Sequence, residues 1–369
     1  LMKGYKSENI RNVALVGHGG SGKTTFLEAA LLATGVISRL GKVEDGNTVS
    51  DYDKMEIEKG YSISTSIVPV EYNNVKINFV DTPGFFDFVG EVNSALRAVE
   101  AAAILVDASA GIQVGTEKAW NSCKEFGIPK FFLINKTDKD NVDVDKVIAD
   151  LKDKFGTSVV TLDDKEAMTE AIAETDEVLM EKFFSGEEFT DDEFNHGLSH
   201  GIGSGDIVPV LACSSVKGDG ITDVLDDFIK FVPTPAEHED YDAKNDADED
   251  IKIKVDPAGK PAAFVFKTIA DPFLGKISLA KVISGTLKSG QEIYNARAQK
   301  SEKLGSMFFM RGKNQVEAPV VEAGDIVAIA KLQFTKTGDT LCEKANIVKF
   351  PPVKFPAPAL YIAIEPKDK

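Results

Sequence analysis

Short apolar runs recur through the first two thirds of the chain, each followed by a glycine-rich or polar break and then by helical spacing. Val13-Ala14-Leu15-Val16, Val75-Lys76-Ile77-Asn78-Phe79-Val80, Ile104-Leu105-Val106, Phe131-Phe132-Leu133-Ile134 and Ile207-Val208-Pro209-Val210-Leu211-Ala212 read as strands. Thr25 to Leu32 reads as a helix, Val92, Ala95, Leu96 and Val99 recur at helical spacing, and another helix starts near Ile221. Such alternation over residues 10 to about 232 predicts a doubly wound α/β domain, its sheet mostly parallel with helices on both faces. Between residues 36 and 66 the periodicity lapses into polar, charge-rich sequence with few apolar anchors. So long a loop inside a compact domain is expected to be functional or mobile.

After Pro233 the pattern changes. Eight carboxylates against one lysine lie between Glu237 and Asp250, which reads as a solvated linker over residues 236–254. Strand-like runs at 262–267, 277–282 and 326–329, punctuated by Gly275, Gly285, Gly290, Gly324 and Gly338, then predict an all-β antiparallel barrel over 255–348. Residues 349–369 read as a proline-broken linker entering the first strand of a third domain, and 1–235 as the first domain.

Composition narrows the class. The 369 residues are 43% hydrophobic and 27% charged, ordinary for soluble globular protein. No apolar run approaches the ~20 residues of a membrane span, and Leu1-Met2-Lys3-Gly4-Tyr5-Lys6 lacks the apolar core of a signal peptide. A cytoplasmic protein without a membrane partner is expected. Cys123, Cys213 and Cys342 fit no metal spacing and read as buried thiols. A net charge of −17 argues against uniform adhesion to nucleic acid, so DNA is not an expected partner and any RNA contact is local.

The chemistry begins at Gly17-His18-Gly19-Gly20-Ser21-Gly22-Lys23-Thr24, with Thr25, between a predicted strand and a predicted helix. Glycines let successive N–H groups turn toward phosphate oxygens, the helix N-terminus favours an anion, Lys23 reaches the β and γ phosphates, and the Thr24 hydroxyl is a Mg²⁺ ligand. Asp81-Thr82-Pro83-Gly84 follows a strand; Asp81 is expected to hold Mg²⁺ through water, and the Gly84 N–H to face the γ phosphate. Asn135-Lys136-Thr137-Asp138 ends another strand. The Asp138 carboxylate can accept from both N1–H and the 2-amino group of guanine, whereas adenine would leave it unpaired, which conflicts with an ATPase or kinase. Cys213-Ser214-Ser215-Val216-Lys217 reads either as a polar loop before a helix or as the loop in which Ser214 and Ser215 offer N–H groups to guanine O6.

With these motifs the chain resembles the translational GTPases, most closely elongation factor G and in particular its divergent second-copy paralogues. The resemblance also rests on Asp81 to Phe88, on Gly111-Ile112-Gln113-Val114-Gly115-Thr116-Glu117, on Gly285-Thr286-Leu287-Lys288-Ser289-Gly290, on Thr337-Gly338-Asp339-Thr340-Leu341 and on Ala363-Ile364-Glu365-Pro366-Lys367. It implies GTP and GDP as ligands, Mg²⁺ as cofactor, a monomer, and the ribosome, through rRNA and ribosomal proteins, as partner. It implies that Ser62, in Lys59-Gly60-Tyr61-Ser62-Ile63, is a Mg²⁺ ligand. The family's gate residue and the Asp beside it are Gly19 and Gly20 here. The family's water-orienting His is Phe85, which neither donates nor accepts a hydrogen bond. Lys23 and Gly84 are then the catalytic candidates, with Tyr61 either recruited to hold the water or only packing against Phe85, and hydrolysis without the ribosome is expected to be slow. The alternative is a GTP-dependent ribosome-binding or ribosomal protection module with negligible hydrolysis. The family's insert is expected to be shortened, near residues 157–206.

Overall fold

The computed structural model describes residues 4–271, 274–358 and 360–366; Leu1, Met2, Lys3 and Lys367 of the segments above lie outside them. The first domain is built from β1 (Ile10–Gly17), α1 (Lys23–Ala33), α2 (Lys54–Lys59), β2 (Ser66–Tyr72), β3 (Val75–Asp81), α3 (Val89–Leu96), β4 (Ala101–Asp107), α4 (Val114–Phe126), β5 (Lys130–Asn135), α5 (Val144–Phe155), β6 (Val159–Thr161), α6 (Lys165–Ala173), α7 (Glu177–Ser185), α8 (Asp191–Ser204), β7 (Val208–Ala212) and α9 (Ile221–Phe231). Its sheet runs β2-β3-β1-β4-β5-β7-β6, parallel except for β2 against β3.

Strands buried on both faces read as continuous apolar runs because neither face meets water. In β1, Val13 and Leu15 join one core with Phe26 and Leu27 of α1 and Phe228 of α9. Ala14 and Val16 join the other with Leu96 of α3, Ala119 of α4 and Leu151 of α5. The register places Leu15 beside Asp81, Gly17 beside Leu105 and Asp107 beside Asn135. The carboxyl ends of these strands therefore form one rim, where open α/β sheets bind ligands. The region of the expected shortened insert holds α6, α7 and α8, which follow β6 and precede β7 in the chain.

The expected linker is corrected. Within 236–254 lies an antiparallel hairpin of β8 (Tyr241–Lys244) and β9 (Asp250–Ile253). The carboxylates mask a two-residue alternation: Tyr241, Ala243, Ile251 and Ile253 pack on the core while their charged neighbours face out.

The second domain is antiparallel β, with β10 (Ala262–Asp271), β11 (Gly275–Ser284), β12 (Thr286–Lys288), β13 (Glu292–Asn295), β14 (Lys300–Lys303), β15 (Met307–Arg311), β16 (Asn314–Glu317), β17 (Val320–Glu322), β18 (Ile326–Ala330) and β19 (Thr340–Cys342). Eight of these strands form one sheet, ordered β14-β13-β19-β10-β11-β18-β15-β16. Along β10, Ala262, Phe264 and Phe266 belong to the core shared with the first domain, and Ala263 and Val265 to the interior of the β domain. The expected terminal strand is a second correction. Residues 360–366 carry no strand, and Tyr361 and Ile364 are exposed, since no neighbouring strand among the described residues offers a ladder.

Where the domains meet, polar side chains are buried and paired. Lys76 Nζ donates to both oxygens of Asp325 at 2.9 and 2.8 Å, and Lys281 Nζ donates to Glu100 Oε1 at 2.6 Å. Asn78 donates to Asp325 and to Asn12, which in turn donates to Glu100 Oε2 and the Gly324 carbonyl. Tyr241 adds a hydrogen bond to Glu100 Oε1.

Candidate nucleotide site

The loop from Gly17 to Gly22 closes over the N-terminus of α1. Lys23 Nζ donates back to the Gly17 and His18 carbonyls at 3.2 and 3.0 Å, and burial pulls its ammonium down to about 8. Gly22 has φ +96°, a conformation that L side chains avoid, and a Cβ there would collide with the Asn135 side chain. His18 Nδ1 accepts from the Gly115 N–H at 3.3 Å, tying the loop to the start of α4. In the loop Gly20 is exposed and Ser21 buried, and Thr25 lines the cleft of about 510 Å³ above it with Gly19, Tyr61, Gly84, Lys136 and Val216.

Asn135 staples the loop to the rim. Its Nδ2 donates to the Ser21 carbonyl at 3.2 Å, and its Oδ1 accepts from Lys136 N, Ser215 N and Ser215 Oγ. Lys136 Nζ donates to the Gly20 carbonyl and to Asp107, both at 2.6 Å. Against the upward push of its burial, those contacts and Ser109 hold the Asp107 carboxyl down to about 2. Asp138 Oδ1 accepts from Ser214 Oγ at 2.5 Å. In the Ser214–Ser215 loop, Ser214 N donates to the Asp219 carbonyl and Ser215 N to Asn135 Oδ1. Each N–H has one hydrogen to give, and the neighbouring Val216, 62% exposed, lines the cleft.

On the other side of Lys23 the carboxylates gather. Asp81 Oδ2 accepts from Thr24 Oγ1 at 2.9 Å and from Ser50 Oγ at 2.8 Å, and Ser62 Oγ lies 3.3 Å from Thr24 Oγ1. Burial and the Asp81 charge push the Asp51 carboxyl well above the carboxylate range, and burial raises Asp81 as well. Asp51 Oδ2 and Asp81 Oδ1 are buried without a hydrogen-bond partner among the described residues. Two buried carboxylates with open oxygens beside two hydroxyls are the donor set of a hard divalent cation, so Mg²⁺ fits this corner.

Ser50 and Asp51 were not legible beforehand, and neither were the ties of residues 36–66. Glu28 accepts from Gly41 N and Val49 N at 3.0 and 2.6 Å, and Glu56 accepts from Ile63 N and Ser64 N at 3.0 Å each. Besides these polar ties, Val36, Ile37, Leu40 and Val49 pack against the core. A lone carboxylate in the apolar run Phe26-Leu27-Glu28-Ala29-Ala30 was the available signal, because a buried carboxylate demands partners.

Phe85, 46% exposed, lies with its ring 4.6 Å from that of Tyr61 and about 3.6 Å from where a Gly19 Cβ would stand. A Cβ at residue 19 would therefore rest in ordinary van der Waals contact with the Phe85 ring. Gly84 is pressed onto Gly19 and Lys23; a Cβ there would come within 2.6 Å of both.

Fold and site together define a P-loop GTPase domain carrying an antiparallel β domain. Residues 8–234 match the family model for the elongation factor Tu GTP-binding domain, and residues 260–344 that for elongation factor G domain 2. The chain belongs to the elongation factor G family. It is 30% identical to elongation factor G of Neorickettsia sennetsu (strain ATCC VR-367 / Miyayama) across 98% of its own length, and spans 59% of that relative. The alignment runs over 408 positions, so the relative carries segments with no counterpart here. A crystal structure of a Thermus thermophilus protein superposes with TM-score 0.82 at 29% identity, covering 98% of this chain and 58% of that one.

Proposed function

We propose that this chain binds GTP and GDP with Mg²⁺ in the cleft and hydrolyses GTP as part of a cytoplasmic, monomeric translation factor acting on the ribosome. The convergence of Lys23, Thr24, Ser62, Asp51 and Asp81 around two unpaired carboxylate oxygens carries the reading. Gly17 to Gly22 cradle the phosphates, Lys23 neutralises the β and γ oxygens, and the Gly84 N–H meets the γ phosphate. Thr24 and Ser62 ligate Mg²⁺ directly, with Asp81 and Asp51 behind through water. Bound there, Mg²⁺ supplies charge neutralisation for the departing phosphate. Asp138 reads guanine, Asn135 and Lys136 hold its loop, and Val216 rather than Ser214 or Ser215 donates to O6. Domains run 1–235 and 255–348, with residues 349–369 leading into a further one.

Base choice is tested by Asp138→Asn. Xanthine carries a carbonyl where guanine has its amino group, and an Asn amide donates to it, so the variant should lose GTP and gain XTP affinity. A variant still preferring GTP removes Asp138 from base reading.

Hydrolysis is tested by single turnover with and without ribosomes. Orienting the attacking water contributes roughly 10²–10⁴ in rate, so slow intrinsic cleavage with intact GTP binding is expected. Phe85→His should speed cleavage, and Tyr61→Phe should slow it if the tyrosine hydroxyl holds the water. The packing of Tyr61 on Phe85 also favours a second reading, a GTP-switched ribosome ligand with negligible turnover. Absence of ribosome-stimulated cleavage would select it.

A further inference from the structure

We propose that Lys267, on β10 of the β domain, is a positioning residue for Ser62 and so for the Mg²⁺ and γ-phosphate side of the cleft. This rests on the GTP and Mg²⁺ reading above. Lys267 reaches out of its own domain, its side chain 8% exposed. Its ammonium donates to Glu91 Oε2 at 2.5 Å, to the Thr65 carbonyl at 3.0 Å and to Ser64 Oγ. Three hydrogens meet three acceptors, so the head group is saturated and its direction fixed.

Glu91, on α3, completes the grip. The same Oε2 accepts from Thr65 N at 2.6 Å, and the Glu91 carbonyl accepts from Thr65 Oγ1 at 3.2 Å. Residues 64 and 65 are thus held by groups from α3 and β10, while Glu56 holds residues 63 and 64 from within their own segment. Ser62 is the next residue along and carries the hydroxyl 3.3 Å from Thr24 Oγ1. Freeing residues 64 and 65 lets the backbone relax away from α3, and Ser62 moves with it. A charged group buried by Glu91 also loses its partner when either is removed, so the grip fails as a unit.

The experiment measures four dissociation constants on the whole chain: a non-hydrolysable GTP analogue and GDP, each with Mg²⁺ and with EDTA. Lys267→Met should weaken the analogue in Mg²⁺ by about tenfold, the scale on which groups supporting metal ligands act, and leave GDP in EDTA unchanged. Ser64→Ala, which leaves no charge stranded, should move the same constant in the same direction by less. Lys276→Met removes a β-domain lysine whose ammonium donates to the Gln333 and Thr335 carbonyls of its own domain, and should change none. Should Lys267→Met fail to fold, Lys267→Gln takes its place. Four constants shifting together, or none shifting, overturns the proposal. Wild-type protein with no Mg²⁺-dependent analogue binding overturns the reading of the cleft itself, and this inference with it.

Discussion

β3 carries buried charge at both of its ends, Lys76 at one and Asp81 at the other, and the two ends treat it in opposite ways. At the domain seam, Asn12 of β1 and Lys76 and Asn78 of β3 sit in a network where Lys76 meets Asp325 and Lys281 meets Glu100, each pair essentially without exposure. At the rim, Asp81 of β3 and Asp51 beside it leave oxygens unpaired and repel one another. The seam is electrostatically finished by the chain alone, whereas on the proposed reading the rim is completed by what it binds. Stability is concentrated at one end of this strand, and binding free energy is held in reserve at the other.

The largest effect should come from breaking the seam. Lys281→Met strands Glu100 in the interior and should cost about 3–5 kcal/mol, read as a fall in the urea midpoint. Adding Glu100→Gln should recover part of that loss, and a double variant no more stable than the single would sink the pairing argument. The rim should respond with the opposite sign. Asp51→Asn removes a repelling charge, so without Mg²⁺ the folded state should gain stability at neutral pH, while Mg²⁺-dependent GDP affinity falls by roughly 10–100-fold. Loss of stability in that variant would place Asp51 with the seam rather than the rim.

The pH profile sharpens the contrast. Asp51 and Asp81 titrate higher folded than unfolded, so the Mg²⁺-free native state holds more protons between the unfolded value near 4 and their raised values. Stability without Mg²⁺ should therefore fall as pH rises through that window and level off above it. Mg²⁺ affinity should rise over the same window, because binding displaces those protons. Thermal melts in EDTA at stepped pH decide it, and a flat profile would count against unpaired carboxylates. The smallest effect belongs to Tyr241→Phe, which deletes one 3.3 Å hydrogen bond to a Glu100 that keeps Lys281 and Asn12. It should cost about 0.5–1.5 kcal/mol and leave nucleotide affinity unchanged.

The phosphate loop was legible because its parts are contiguous: strand, glycines, Lys23 and helix must follow one another for the cradle to form. The same holds for Asn135 to Asp138. Side chains whose partners lie far along the chain were not legible. Lys76 and Asn78 lie within an apolar strand, and their partner Asp325 is 249 and 247 residues away from them. Ser50 and Asp51 were hidden in polar sequence without periodicity, where no spacing distinguishes a ligand from a solvated residue. The hairpin at 241–253 was obscured by charge density, although Tyr241, Ala243, Ile251 and Ile253 carried its alternation.

β10 has no solvent side along residues 262–266. Its even-numbered residues serve one core and its odd-numbered residues another, so it behaves as a party wall rather than as the outer surface of a detachable unit. A β domain exchanged for that of a relative would bring its own half of the wall, and a chimera joined upstream of residue 262 would fold only if its even positions matched the first domain. The two domains are therefore expected to diverge as a pair, with Ala262, Phe264 and Phe266 as the residues that any recombination must carry across intact.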